Sequence, residues 1–220
     1  MKFLLTSSGI TNASIEQALL ELVGKPASET SVAFIPTAAN LVADDKGWLI
    51  DGMDAFKSRS FKSIDIVDIS AVPKDNWLPR FEAADVLCFG GGDEQYLAKV
   101  MVTSGLAEIL PVLLETKVYI GISAGSMVVA QSLDQKLLNV IYPEEVFTGE
   151  VTPSLGLVSC HFVPHLNSPY FSRVKEDIIK RTVDQNLDYP LYALDDSSVL
   201  KIVDDQIEVV SEGEFLKLEK

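Results

Sequence analysis

A chain of 220 residues, 47% hydrophobic and 23% charged, has enough apolar material to fill one large α/β domain over residues 1–220 and too much to remain disordered. Its 18 Lys and Arg against 32 Asp and Glu leave a net charge of -14. That balance argues against nucleic acid and anionic membranes as partners, since both are held by clustered basic side chains.

Short apolar runs alternate with amphipathic ones. Lys2–Thr6 (KFLLT) reads as a buried strand, and NASIEQALLELVG follows as a helix with Asn12 or Ser14 as its cap and Gly24 as its stop. Ser31–Thr37 (SVAFIPT) is a second strand, DDKGWLIDGMDAFKS has helical spacing, and SIDIVDI returns to strand. ADVLCFGGG is a strand that runs into glycines, with DEQYLAKVMV as a helix behind it. GLAEILPVLLET is helical, with a kink or break expected near Pro111. KVYIGI is a strand, AGSMVVAQSL a helix, LGLVSCHFV a strand and SRVKEDIIKRTVDQN a long polar helix. The tail from Tyr189 holds short β-like runs, with Asp204-Asp205 as a hairpin turn that lacks the usual glycine. This alternation predicts βαβ units in a doubly wound, mostly parallel sheet with helices on both faces, and antiparallel strands near the C-terminus.

Cys88 and Cys160 each lie inside an apolar run, as buried free thiols do. With only His161 and His165 beside them, no metal site is expected. The opening MKFLLTSSGI has an apolar run too short for a signal-peptide core, and no stretch is apolar enough to span a bilayer. A soluble cytoplasmic protein, monomeric or homodimeric, is therefore expected.

Gly121-Ile122-Ser123-Ala124-Gly125 fits the nucleophile-elbow pattern, with the required strand before it and helix after it. A strand that turns into a helix within one residue strains the residue at the bend, and small neighbours relieve the crowding. The Ser123 hydroxyl then projects from the carboxyl edge of the sheet, where backbone N–H groups can stabilise an oxyanion. The plain alternative is a tight crossover with Ser123 as a helix cap. Gly90-Gly91-Gly92 follows another strand and suits an oxyanion hole or carboxylate cradle, or simply a turn. It has neither dinucleotide-binding nor P-loop spacing, so no organic cofactor is expected.

A serine needs a base. His165 follows Pro164 at a strand end and can reach the active edge, whereas His161 lies within the apolar run as a packed strand residue. For the acid that orients the imidazole, YALDDSS offers Asp195 and Asp196, and Asp134 after the elbow helix is the rival. The chain order Ser, His, Asp departs from the α/β-hydrolase order.

Taken together, FGGGDEQYL, GISAGSMVVA, VPHLNSPYFSR and YALDDSSVLKI, with KFLLTSSG and SVAFIPTAA before them, resemble the peptidase E family of serine peptidases and the related cyanophycinases. The resemblance covers nearly the whole chain. It implies a sheet related to class I glutamine amidotransferase domains, with serine in place of cysteine at the elbow. It implies Ser123 as nucleophile, His165 as base and Asp196 as acid, with Asp195 one step off. Gly91, Gly92 and the Ala124 amide form the implied oxyanion region. The implied substrates are small peptides, namely dipeptides with an N-terminal aspartate. Arg173, in the region of the helix after the histidine, corresponds to an arginine that binds the substrate carboxylate. Asp93 stands where the family has asparagine. There it would repel an aspartyl side chain or pair with the substrate ammonium, by about 4 kcal/mol at 4 Å in an intermediate dielectric. Another amidase on this scaffold and a catalytically silent binding module are the alternatives.

Overall fold

The computed structural model describes residues 1–43, 45–143, 151–183 and 187–219. The parallel strands are β1 (Lys2–Thr6), β2 (Ser31–Ile35), β3 (Ser63–Ile66), β4 (Val86–Phe89) and β5 (Val118–Ile122). β4 and β5 are buried at every position, as strands covered on both faces must be, while β3 at the sheet edge is not. Two further strands, β8 (Ser198–Val203) and β9 (Gln206–Ser211), extend the sheet antiparallel beside β1. The order is β3-β2-β4-β5-β1-β8-β9. A second sheet places β7 (Leu191–Leu194) between β6 (His161–Val163), to which it is parallel, and β10 (Phe215–Leu218), to which it is antiparallel.

Side chains alternate across the main sheet and feed two cores. Phe3, Leu5, Phe89 and Tyr119 pack on one face with Trp77, Phe81, Leu97 and Leu110. These last come from α3 (Lys74–Ala83), α4 (Glu94–Thr103) and α5 (Leu106–Leu113). Leu4, Phe34, Cys88 and Ile120 pack on the other face with Ile15, Leu19 and Phe56, from α1 (Ala13–Val23) and α2 (Gly47–Ser58). The sheet is thus covered on both faces, as predicted. Asn12, not Ser14, caps α1 by accepting from Ile15 N, and Gly24 ends it at φ 80°. Asp204 takes φ 52° in the β8–β9 turn, a conformation that Asp tolerates better than most residues.

Several expectations change. α5 runs through Pro111, and its next turn still closes from Leu114 N to Leu110 O. Burial of Leu106, Leu110 and Leu113 outweighs the one missing bond. The break falls instead at Gly105, φ 76°, where α4 and α5 meet at 89°. α6 (Ala124–Met127) ends well short of Leu133, because the carbonyls of Val128 and Val129 accept from Leu155 and Leu157. Residues 155–160 make those bonds and stay outside a strand, so β6 begins only at His161. α7 (Gln135–Ile141) and α3 lie where the pattern predicts no element, and α8 (Glu176–Thr182) is shorter than predicted. Among the described residues no single helix is long and apolar enough to cross a membrane.

Candidate active site

β1, β4 and β5 lie side by side or one strand apart in parallel, so the residues after their last positions emerge on one edge. Ser123 leaves β5 at φ 51°, ψ -112°, a strained conformation of the kind that costs about 1–3 kcal/mol. The two flanking glycines are steric necessities. A Cβ on Gly121 would stand 2.6 Å from Gly125 O, and one on Gly125 would stand 2.1 Å from Phe89 O. The bend is fastened by Ser123 N donating to Thr6 O (3.0 Å) and by the Tyr119 hydroxyl donating to Gly125 O (2.6 Å).

His165, two residues beyond β6, is 9% exposed and has φ 66°. Its Nε2 lies 2.9 Å from Ser123 Oγ and its Nδ1 lies 2.8 Å from Asp196 Oδ1. Burial alone would raise the Asp196 carboxyl, but the hydrogen bond and charge of His165, with the Ser8 hydroxyl, bring it below the usual carboxylate value. An ionised carboxylate only accepts, so Nδ1 carries a hydrogen, and in the neutral form of the ring the Nε2 lone pair faces the Ser123 hydroxyl. The Phe171 ring stacks on the imidazole at 4.3 Å and 12°. The Tyr142 ring meets Phe171 edge-on, and its hydroxyl donates to Pro164 O at 3.0 Å.

The model of peptidase family S51 matches residues 3–210. The chain belongs to peptidase family S51. An uncharacterized peptidase of Pasteurella multocida (strain Pm70) is 27% identical over 150 residues, covering 68% of this chain and 71% of its own. In fold, the chain is similar to a protein from Listeria monocytogenes EGD-e described as a candidate peptidase E. The TM-score is 0.77 at 18% identity, over 96% of this chain and 98% of that one. A peptidase from an acI-B1 actinobacterium gives a TM-score of 0.71 at 17% identity, over 99% of this chain and 93% of that one.

The remaining predicted site residues divide. In this S51 chain Asp195 turns away from His165, accepting from Ser197 N, Ser198 Oγ and Glu214 N. Asp134 caps α7 by accepting from Lys136 N and Leu137 N. Of the three candidate acids, Asp196 is the one hydrogen-bonded to the imidazole. His161 is held elsewhere, with Nδ1 3.3 Å from Gln131 O and its ring edge-on to Tyr189.

Gly91 runs beside the elbow. A Cβ there would stand 3.4 Å from Ser123 Cβ and 3.6 Å from the Trp48 ring. Gly92 takes φ 133°, and its Cβ would strike Ala38 O at 2.2 Å. Gly90 N and Asp93 N fasten the loop to Ile35 O and Ala38 O, while among the described residues the amides of Gly91 and Gly92 make no such loop bonds. Asp93 accepts from Tyr96 N as the cap of α4. Arg173 lies in the turn before α8 rather than on it, because α8 starts only at Glu176. It is exposed and lines a cavity of about 260 Å³ with Tyr142, Tyr170 and Phe171. Phe171 thus touches both that cavity and the imidazole. Among the described residues no group of three or more His, Cys, Asp or Glu converges as metal ligands would.

Thr6, Ser7, Ser8, Trp48, Tyr142 and Phe171 join the site without a role foreseen from the sequence. The hydroxyl run at the end of β1 was a usable signal, because it leaves a central parallel strand at its carboxyl end. The aromatic residues carry no local mark of their role.

Proposed function

We propose that this S51 peptidase is a serine peptidase that cleaves short peptides through an acyl-enzyme on Ser123, with Asp-X dipeptides as the first substrates to try. The carrying observation is the continuous line from Ser123 Oγ through His165 to Asp196, at 2.9 and 2.8 Å. Ser123 Oγ attacks the scissile carbonyl as His165 Nε2 takes its proton. Asp196 keeps the imidazole in the productive tautomer and stabilises the imidazolium. The amides of Gly91, Gly92 and Ala124 meet the developing negative charge, each good donor contributing about 3–4 kcal/mol in the transition state. His165 then protonates the leaving amine, and water, activated by the same imidazole, releases the acid product.

Asp93 already accepts a helix-capping bond, yet its charge stays beside the glycine loop. A substrate ammonium is the complementary group for it, and Arg173 is the basic candidate for a substrate carboxylate.

The test is a dipeptide library, Asp-X and non-acidic N-termini together, with wild type and Ser123→Ala. Ser123→Ala is expected to lose turnover by on the order of 10⁶-fold while its circular dichroism and melting remain those of wild type. Turnover that survives in the variant rejects the assignment. A fluorophosphonate label is expected on Ser123 alone.

A further inference from the structure

Three successive residues at the end of β1 each hold a different segment of the site. Thr6 holds the elbow: its carbonyl accepts from Ser123 N (3.0 Å) and from Ser126 Oγ (2.8 Å), and its own N–H donates to Ser126 Oγ (3.0 Å). The Thr6 hydroxyl adds a bond to Gly121 O at 2.7 Å. Ser7 holds the histidine: its hydroxyl accepts from His165 N at 3.0 Å and donates to Leu194 O at 2.8 Å, joining the end of β6 to the end of β7. Ser8 holds the acid: its hydroxyl donates to Asp196 Oδ1 at 2.8 Å, the same oxygen that receives His165 Nδ1.

β1 is the interior strand that makes this possible. It pairs with β5, which delivers Ser123, on one side and with β8, which follows Asp196, on the other. His165 and Asp196 come from strands of the second sheet. The main-sheet ladder reaches Asp196 only through β8, which starts two residues later, and His165 follows β6 of the second sheet, so the side chains at the end of β1 add a direct link from both to the strand beside Ser123.

Resting on the reading of Ser123, His165 and Asp196 given above, we infer that Ser8 is a positioning residue that fixes the Asp196 carboxylate toward His165, the last of three hydroxyls at the end of β1 that register the two sheets. The Asp196 side chain is 38% exposed, against 11% for His165. A carboxylate that open to water has other rotamers in which water satisfies it. Ser8 selects the one that aims Oδ1 at Nδ1. Since Asp196 acts mainly when the imidazolium forms, losing the selection lowers kcat more than it raises KM.

The test is a double-mutant cycle. Ser8→Ala is expected to lower kcat about ten-fold with KM within about two-fold. In an Asp196→Asn background the same change is expected to cost less than about two-fold, because Ser8 acts through that carboxylate. Ser8→Thr and Ser8→Val have nearly the same shape and differ in the hydroxyl, so only Ser8→Thr is expected to retain activity. This pair separates positioning from packing if Ser8→Ala lowers the melting temperature. Equal losses from Ser8→Ala in both backgrounds, or equal activity of the Thr and Val variants, overturns the inference.

A second readout keeps the underlying reading distinguishable. The downfield imidazole N–H proton resonance of His165 reports its bond to Asp196 without substrate, and Ser8→Ala is expected to shift or broaden it. If folded wild type takes no fluorophosphonate label, the serine-peptidase reading fails. An unchanged resonance in Ser8→Ala overturns the positioning role in either case.

Discussion

Asp195 and Asp196 are adjacent in sequence and make unlike contacts. Both follow β7, where successive side chains point in opposite directions, so one faces His165 and the other faces the turn before β10. Asp196→Asn is expected to lower kcat by on the order of 10⁴-fold with little change in melting, because an amide no longer selects the tautomer. Asp195→Ala removes the acceptor of three hydrogen bonds and is expected to cost about 1–3 kcal/mol of stability while kcat stays within a few-fold. Steady-state kinetics and thermal melts of the two variants check both statements, and equally small effects on kcat in both would mean that neither aspartate orients the histidine. The pH sign follows from the depressed Asp196 carboxyl. Its contribution to stability is in place above the unfolded value, about pH 4, and is lost as pH falls through the lower folded value. Ser123 and His165 were legible because each has a positional signature, a glycine-flanked bend and a strand end. The choice between two neighbouring aspartates was not, because it depends on strand phase at a boundary that sequence locates only to within a residue or two.

Helix α4 and the segment after the elbow form a mechanical pair. Ser154 Oγ donates to Glu94 Oε1 at 2.6 Å, and Thr152 N donates to Gln95 Oε1 at 2.9 Å, so residues 152–154 are fastened to the first turn of α4. Burial pushes the Glu94 carboxyl up, the neighbouring Asp93 adds to the rise, and the Ser154 and Gln95 bonds oppose it. With a folded value above the unfolded one, Glu94's contribution to stability is fully present below about pH 4.5 and is lost as pH rises through the elevated folded value. Glu94→Gln keeps an oxygen for Ser154 and has nothing to ionise. Melting temperatures of the two proteins are therefore expected to diverge in favour of the variant as pH rises above about 5, and parallel curves would remove Glu94 from the account. The starts of α1 and α4 were legible from their side-chain caps, Asn12 and Asp93, whereas α7 was not, although Asp134 caps it in the same way. The early end of α6 was not, since Val128 and Val129 are held by residues 155–158, and no local signal announces a partner that far along the chain.

At the scale of the whole molecule, alternation of apolar and amphipathic runs announced a parallel sheet covered on both faces, but not how the tail divides. The runs at β7, β8, β9 and β10 look alike in sequence. Yet β8 and β9 extend the main sheet beside β1, while β7 and β10 build the second sheet with β6. That division sets the site, because it puts Asp196 at the junction of the two sheets. Over this scaffold lies a charge of -14, which even complete pairing of its bases leaves uncompensated. Ion pairs such as Lys25–Asp85 and Arg59–Glu16 are partly exposed and contribute little. The long-range field instead acts on what approaches the carboxyl edge. A dipeptide with net negative charge is repelled on approach, one with net positive charge is attracted, and added salt screens both, the Debye length falling from about 30 Å at 0.01 M to about 3 Å at 1 M. For substrates limited by encounter, kcat/KM is therefore expected to rise with salt for an acidic dipeptide and to fall for a basic one, with kcat nearly constant for both. A zwitterionic dipeptide of no net charge serves as the control for salt effects on the enzyme itself. Slopes of the same sign for all three would assign the salt dependence to the protein's own stability rather than to its field.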